Sequence, residues 1–523
     1  MDTLPNNLTT TLTALASFCI ARRAATWLVG GAARDLALGR IPSDLDIAVD
    51  VDGTALARDF ADHCGGAFVA LDDERGTGRV VLDPTRPDRL VIDLVQLRAP
   101  TLEEDLRLRD FTINALALPL NDKEGNVASF TAQREAFIDP CGGLRDMNAQ
   151  ELHACSPSSL RDDPLRILRA VRLAADLAFQ ITPELDALLR ESVVLLDHVA
   201  AERVRDELVK LLALPHSVVW IRYLDDIRAL TRIIPELEPA RGCEQPNIHF
   251  LPVLAHMIEA VACAEWLLST LTAPALAPSY VQDSALYLPV AVQTHPDLSR
   301  TLPYSSQLQA HFTTTLGGGI ARAALFKLAV LLHDNAKPQT KQHKPEGGVS
   351  FYGHQELGAN VAYRVARRLR LSRAAADYIA LIVREHMRPG QLRAAEHVTL
   401  RAIVRFFRDT GNAGPDVLLH DLADHLATRG LQTNPMGWSA HLAWTRTLLE
   451  AHWGAPPERV APLINGNDVM TALGIGPGKL VGIILQEVQE AQAAAEIHTR
   501  AEALELARQV AAKQHERSVT PKP

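Results

Sequence analysis

The sequence predicts an α+β chain in which a mixed α/β region at the N-terminal end gives way to a long, nearly all-helical one. Two local patterns and one shift along the chain predict it. Trp27-Leu28-Val29 is an apolar, β-prone run that ends at Gly30-Gly31, and Ala32 to Leu38 then reads as a short helix stopped by Gly39. Ser43 to Val49 alternates as a strand does, with Leu45 and Ile47 on one face and Asp44 and Asp46 on the other. Val91-Ile92-Asp93-Leu94-Val95 is a further strand-like run. From Glu202 to Leu212 apolar residues recur at helical spacing, and the chain beyond Leu212 is almost entirely helical in pattern. A chain of 523 residues exceeds the comfortable size of one core, so several domains are expected.

Each N-terminal element has a chemical consequence. A strand, a glycine turn and a helix N-terminus aim backbone N–H groups at an anion. Asp44 and Asp46 put two carboxylates on one strand face, their Cα atoms roughly 7 Å apart. Magnesium takes one or two such carboxylates together with substrate phosphates. An Asp-x-Asp triplet alone serves equally well as the solvated face of an edge strand. Asp93 adds a third acid, in a run where an acid is costly unless solvated, paired or metal-bound. Three acids on neighbouring strands suit two-metal phosphoryl transfer, with one ion activating a hydroxyl and the other supporting pyrophosphate.

Gly30-Gly31-x-x-Arg34-Asp35 with Asp44-x-Asp46 is followed by Arg109-Asp110-Phe111-Thr112-Ile113-Asn114-Ala115 and Asp139-Pro140-x-x-Gly143-Leu144-x-Asp146. Asp163-Pro164-Leu165-Arg166-x-x-Arg169-Ala170-x-Arg172 comes next. In this order the motifs resemble the class II tRNA nucleotidyltransferases and bacterial poly(A) polymerases, firmly from Trp27 to about Leu212 and more loosely beyond. The resemblance implies a polymerase-β-like nucleotidyltransferase palm, or head, over 1–150 and a helical neck with a base-recognition helix over 151–215. It implies a helical HD-type body over 216–455, with an insertion near 271–316, and a helical tail over 456–523 that contacts tRNA. Asp44 and Asp46, with Asp93, would be catalytic and bind Mg2+, while Gly31, Arg34 and Arg109 would touch the incoming nucleotide. Leu108 departs from the pattern, since members often carry a second arginine there. Asp72 to Arg79 would be the flexible loop that members use when changing from C to A.

Residues three apart share a helix face, so Asp163 and Arg166 are expected side by side. Cytosine and adenine both offer an amino donor beside a ring acceptor, and an Asp–Arg pair suits both. Guanine and uracil reverse that pattern and would leave buried polar groups unpaired. The same two residues can also form an ordinary intrahelical ion pair. Arg169 and Arg172 extend the face and are expected to meet triphosphate or RNA phosphate.

A second constellation lies in the helical region: His256, then His333-Asp334, with His354, His386 and Asp424 further on. It resembles an HD phosphohydrolase domain at His256, His333, Asp334 and Asp424, and departs from it at Asn335-Ala336. Imidazoles with a carboxylate bind a transition metal or magnesium, so a second divalent ion is expected here. The same histidines can instead be satisfied in a helical core whose activity is gone. The prolines between Leu271 and Phe312 interrupt helix, Gly474 to Gly478 suits a helix–helix turn, and Thr499 to Glu502 is a capping box. From about Val510 the chain is expected to fray.

The net charge of −9 argues against a nonspecific nucleic-acid coat, although arginines cluster at Arg161 to Arg172 and at Arg364 to Arg373. Six scattered cysteines without a Cys-x-x-Cys pair suggest core thiols. No apolar run is long enough to span a bilayer and no basic leader precedes Leu12, so a cytoplasmic protein without a membrane partner is expected. The reading that joins these points is template-independent addition of CCA, or part of it, to tRNA 3′ ends from CTP and ATP. Its rivals are a poly(A) polymerase, a CC-only or A-only adding relative, and an HD-type phosphohydrolase whose palm only binds nucleotide.

Overall fold

The computed structural model describes residues 6–519 apart from 74, 84–89, 122–133, 272–287, 346, 455–460 and 495. The chain forms two compact units: Met1–Leu211 with Tyr223–Ile233, and Leu212–Arg222 with Ile234–Pro523. The expected head and most of the neck fall in the first unit, and most of the body and the tail in the second; Tyr223–Ile233, expected in the body, belong to the first.

The first unit is built on strands β1 (Thr26–Val29), β2 (Asp44–Val49), β3 (Ala67–Asp72), β4 (Thr77–Leu82), β5 (Leu90–Gln96) and β6 (Ala117–Pro119), in the order β3-β4-β5-β2-β1-β6. Among the described residues of this sheet, only β2 and β5 pair in parallel. Their register sets Asp46 directly beside Asp93, and the β4–β5 register sets Arg79 beside Asp93. Leu28, Leu45, Ile47, Ile92 and Leu94 are fully buried, which fixes the register, because a one-residue slip would turn the apolar set to solvent.

The helix Gly30–Ala37 follows β1 directly, so the glycine pair expected as a turn before Ala32 forms the first residues of the helix itself, with Gly30 at φ +66°; Leu38 is its C-cap and Gly39 lies beyond at φ +72°. The helix Gly53–Cys64 starts on Asp52, whose carboxylate accepts from the N–H groups of Thr54 and Ala55. It packs on the β3–β4 hairpin. The segment Asp72 to Arg79, expected as a loop, is largely part of that hairpin, since Thr77 to Arg79 already lie in β4 and pair with β5. Cross-strand bonding claims these residues, and Glu74 lies outside the described ones. In the neck, Arg166–Leu177 buries Ile167, Ala170, Val171 and Ala174 along one face, and Ala201–Ala213 follows further along the chain.

The second unit is helical, with Val253–Ser269, Arg322–Leu332, His354–Arg368, Arg373–Glu385 and Gly414–Arg429 forming its interior. Part of the expected insertion, 272–287, lies outside the described residues; Val290–Thr294 and Ser305–Phe312 are helices, and Pro289 sits at the N-cap of the first. In the tail, Gly474 closes Gly466–Leu473 in the left-handed conformation. Thr499 and Glu502 bond reciprocally at 2.9 and 3.3 Å as a capping box. The final helix, Arg500–Val519, continues past Val510 rather than fraying there. Only Cys19 and Cys263 are buried, so the expectation of core thiols fails for the other four, of which Cys64 is exposed. Among the described residues no helix is long and apolar enough to cross a membrane.

Candidate active site and second metal centre

Asp46 is the centre of the first site. Burial pushes its carboxyl above the ordinary range and the charges of Asp93 and Asp44 add to that, while Arg109 opposes it. A half-buried acid flanked by two others is a group that a divalent cation would stabilise, and all three supply the hard oxygen ligands that magnesium prefers. Asp93 is already occupied: Arg79 donates to both its oxygens, at 2.7 and 2.8 Å. Gly30 has φ +66°, and a Cβ there would lie 3.1 Å from both Arg109 Nη1 and Asp46 Oδ2, so only glycine fits between these two charges.

The expected nucleotide contacts are differently disposed. Arg34 is buried and committed within the fold, donating to Asp35 at 2.9 and 2.7 Å and to Asn114 Oδ1 at 2.9 Å. Gly31 lies beside it. Arg109 approaches Asp105 at 3.4 Å and keeps a buried Nε without a partner, and burial lowers its pKa.

Asp163 and Arg166 do not form the pair that helical spacing suggests. Asp163 lies before the helix, in extended backbone, because Pro164 disfavours helical geometry in the residue preceding it. Its carboxylate accepts from Arg203 at 3.1 and 2.7 Å. Arg166 opens the helix and donates to Ser159 Oγ at 2.9 Å and to the carbonyls of Ser159 and Leu108 at 3.1 Å each. Arg169 and Arg172, expected at phosphates, are held by Asp110 and Glu207, each at 2.5 Å. Burial would raise the Asp110 carboxyl, but Arg169 and the Asn114 amide outweigh it and hold it below the usual range. Arg79, Arg203, Asp110, Asn114 and Glu207 are thus parts of the site that sequence reasoning did not single out. Arg203 stood in the neck segment, and its partner was visible only in three dimensions.

In the second unit His256, His333, Asp334 and Asp424 converge as the spacing predicts. His256 Nε2 lies 2.9 Å from Asp424 Oδ1 and 3.7 Å from Asp334 Oδ2. His333 Nε2 lies 3.1 Å from Asp334 Oδ2 and 3.6 Å from Asp424 Oδ1. His333 Nε2, His256 Nε2 and both oxygens of Asp334 are buried without a well-aligned hydrogen bond, although Asp424 and Lys337 stand within ion-pair distance, and a metal ion would satisfy these inward-facing atoms. Burial would push the Asp334 carboxyl up, but His333 and Lys337 outweigh it and hold it well below the usual range. His420, four residues before Asp424 on the same helix face, also points into this centre; that spacing is the signal that would have found it.

Family models match three stretches of the chain: the poly A polymerase head domain at 26–153, a probable RNA and SrmB-binding site of polymerase A at 178–241, and an HD domain at 308–429. An A-adding tRNA nucleotidyltransferase of Deinococcus radiodurans is 33% identical over 485 residues, 91% of this chain and 93% of the relative. The chain belongs to the tRNA nucleotidyltransferase family. Other members, CC-adding tRNA nucleotidyltransferases of Thermus thermophilus and Geobacter sulfurreducens, are 31% and 30% identical, each over 91% of this chain and over 91% and 90% of the relative. The family fold is also that of a solved CCA-adding enzyme with ATP, at a TM-score of 0.60 and 19% identity over 96% of this chain and 95% of that one. A Thermotoga maritima CCA-adding enzyme complexed with tRNA matches at a TM-score of 0.56 and 19% identity, over 98% and 96%.

Proposed function

We propose that this family member adds C and A residues, as CCA or part of it, to the 3′ end of tRNA from CTP and ATP without a nucleic-acid template. The observation that carries it is Asp46 facing Asp93 across parallel strands, with Asp44 on the same strand as Asp46 and the Gly30 turn and Arg109 against it. In this reading Asp44, Asp46 and Asp93 hold magnesium, which when bound activates the tRNA 3′-hydroxyl and neutralises charge on the departing pyrophosphate. The Gly30-Gly31 turn and Arg109 bind the triphosphate, and the hydroxyl attacks its α-phosphorus in line with the leaving pyrophosphate. Asp163 accepts from the base amino group, and Arg166, its carbonyl contacts released, donates to the ring nitrogen; Arg34, Arg169 and Arg172 hold the pocket's shape through their acidic and amide partners.

Purified protein, given tRNA lacking its last three nucleotides and each triphosphate singly and together, tests the proposal. Extension with CTP plus ATP is the expected result, and none on any truncated tRNA refutes it. Arrest after CC, or addition only to tRNA already ending in CC, identifies a partial adder. Long A tails on unrelated RNA identify a poly(A) polymerase.

The buried, unpartnered donor atoms on His256, His333 and Asp334, with Asp424 beside them, support a second reading, a metal-dependent phosphoester hydrolase in the body. Phosphate ester hydrolysis from a 2′,3′-cyclic nucleotide, lost in His333→Ala with tRNA extension kept, is expected; its absence with several divalent metals leaves a scaffold.

A further inference from the structure

We propose that Asp105 is a positioning residue: it holds the Arg109 guanidinium off Asp46, so that the acid's oxygens stay open to magnesium and the arginine stays open to a triphosphate. The inference rests on the reading of Asp46 as a magnesium ligand and of Arg109 as a triphosphate contact, and it adds how the site keeps these two opposite charges apart.

Asp105 is placed by the short helix Leu102–Arg107, which the sequence anchors twice. Thr101 and Glu104 close its N-terminus as a capping box, each side chain accepting from the other's backbone N–H at 3.3 Å. Leu102 and Leu106 pack with Val29 and Ala48, on the strand that leads into Gly30 and the strand that carries Asp46. Asp105 is buried in the same turn of helix. Positions four apart meet on one side of a helical turn, and Arg109, just past the helix end, falls beside it.

One carboxylate there serves two arginines. Its Oδ1 accepts from the backbone N–H and the Nε of Arg98 at 3.0 and 2.9 Å, and Arg98 Nη2 also donates to the Asp105 carbonyl at 3.2 Å. Its Oδ2 accepts from Arg109 Nη2 at a longer 3.4 Å. Burial would raise the Asp105 carboxyl, but Arg98 and Arg109 outweigh it and hold it below the usual range, so the anion persists. Arg109 keeps a buried Nε without a partner, and its counter-charge is held at arm's length.

On its other side Arg109 faces the metal acid. Arg109 Nη1 and Asp46 Oδ2 flank one point, each 3.1 Å from where a Cβ on Gly30 would lie, yet among the described residues no ion pair closes between them. A buried guanidinium with no other anion would take that carboxylate. Such a pair would occupy an oxygen that a hard divalent ion needs and engage N–H groups that a phosphate needs. Asp105 supplies the opposing pull, and burial of Arg109 is countered first by Asp105 and only then by Asp46. A guanidinium with unmet donors beside an unpaired acid is the state that triphosphate and metal complete.

Full-length protein titrated with Mn2+ without nucleotide, read by electron paramagnetic resonance, tests this, and the ion lost in Asp46→Asn identifies the palm's share. Asp105→Asn keeps an oxygen for Arg98 but removes the charge that holds Arg109, so the palm's Mn2+ dissociation constant should rise at least ~10-fold. Asp105→Glu, which keeps the charge, should restore most of the affinity, and in an Arg109→Gln background Asp105→Asn should change nothing further. Circular dichroism checks the fold of each variant. In extension of truncated tRNA, Asp105→Asn should raise the Mg2+ needed for half-maximal rate and leave turnover at saturating Mg2+ and triphosphate, whereas a merely structural defect lowers turnover at every concentration. Unchanged Mn2+ affinity in Asp105→Asn, or a loss that persists in the Arg109→Gln background, overturns the proposal and leaves the nucleotidyltransferase reading standing. A Mn2+ count that Asp46→Asn does not alter overturns the metal reading of the palm and the proposal with it.

Discussion

Arg203 should act as a competitor for the group that reads the base. It donates through both Nη atoms to both oxygens of Asp163, so a cytosine or adenine amino group must displace one of these bonds to be accepted. The arginine side chain is 52% exposed and the aspartate 29%, which places the pair among surface ion pairs worth roughly 0.2–1 kcal/mol. Arg203→Ala removes that competition, and at about 1.4 kcal/mol per tenfold the KM for the accepted triphosphate should fall by ~1.4- to 5-fold. The turnover number should hold, because the pair is lost before the chemical step. Steady-state extension of truncated tRNA, with CTP and ATP varied separately, measures this, and Asp163→Ala should abolish the preference over GTP and UTP. The reasoning is refuted if Arg203→Ala raises KM severalfold while Asp163→Ala leaves nucleotide choice unchanged; Arg203 would then hold the substrate and Asp163 would only hold Arg203.

Gly30→Ala puts a side chain into a left-handed backbone at about 1–2 kcal/mol and against Arg109 and Asp46, so extension should fall at least ~10-fold with circular dichroism unchanged. Gly143→Ala would bring a Cβ to 2.2 Å from the Thr112 carbonyl oxygen, a backbone clash that should lower the first unit's stability by ~1–3 kcal/mol in urea titration. Asp416 is fully buried and accepts from Arg322, Tyr378 and His311, so Asp416→Asn, which leaves the arginine uncompensated, should cost about 3–5 kcal/mol. Burial opposes it, but His311 and Arg322 hold the Asp416 carboxyl below its ordinary value, so its contribution is complete above about pH 4 and is lost as pH falls through the native pKa. Melting curves along an acid series should show that loss in the unsubstituted protein and a flatter profile in Asp416→Asn.

Period and glycine chemistry control the part of the site that was legible in the sequence. Alternation through Leu45 and Ile47 placed Asp44 and Asp46 on one face, and the Gly30 turn followed from a residue type that alone tolerates its backbone. The convergence of His256, His333, Asp334 and Asp424 was legible because His333-Asp334 is contiguous and the others keep their order along the chain. The pairing of Asp163 was not legible, because helix spacing assumes that a helix has begun, and Pro164 delays it to Arg166. Arg203 lies 40 residues away, and no local period reports a partner at that distance. His354 and His386 were visible as histidines, but no local period reports that their Nε2 atoms meet at 3.3 Å across 32 residues.

Charge in the first unit follows one principle: acids of the site are matched by arginines. Arg79 takes Asp93, Arg203 takes Asp163 and Arg169 takes Asp110. Left unpaired, each of these partly or fully buried carboxylates would be an uncompensated charge. The pairs differ in how readily they open. Arg169 and Asp110 meet at 2.5 Å with the acid buried, so that pair is structural and should persist through the cycle. Arg79 is 40% exposed and Asp93 only 16%, so Arg79 can swing to solvent while the acid stays in place for a divalent ion. On the proposed reading, a metal ion on Asp93 would release one arginine and a base on Asp163 would release another. Each event frees a guanidinium beside a strongly anionic triphosphate, so metal, base and phosphate binding should favour one another, and Arg79→Ala should weaken that coupling while tightening metal binding in the absence of nucleotide.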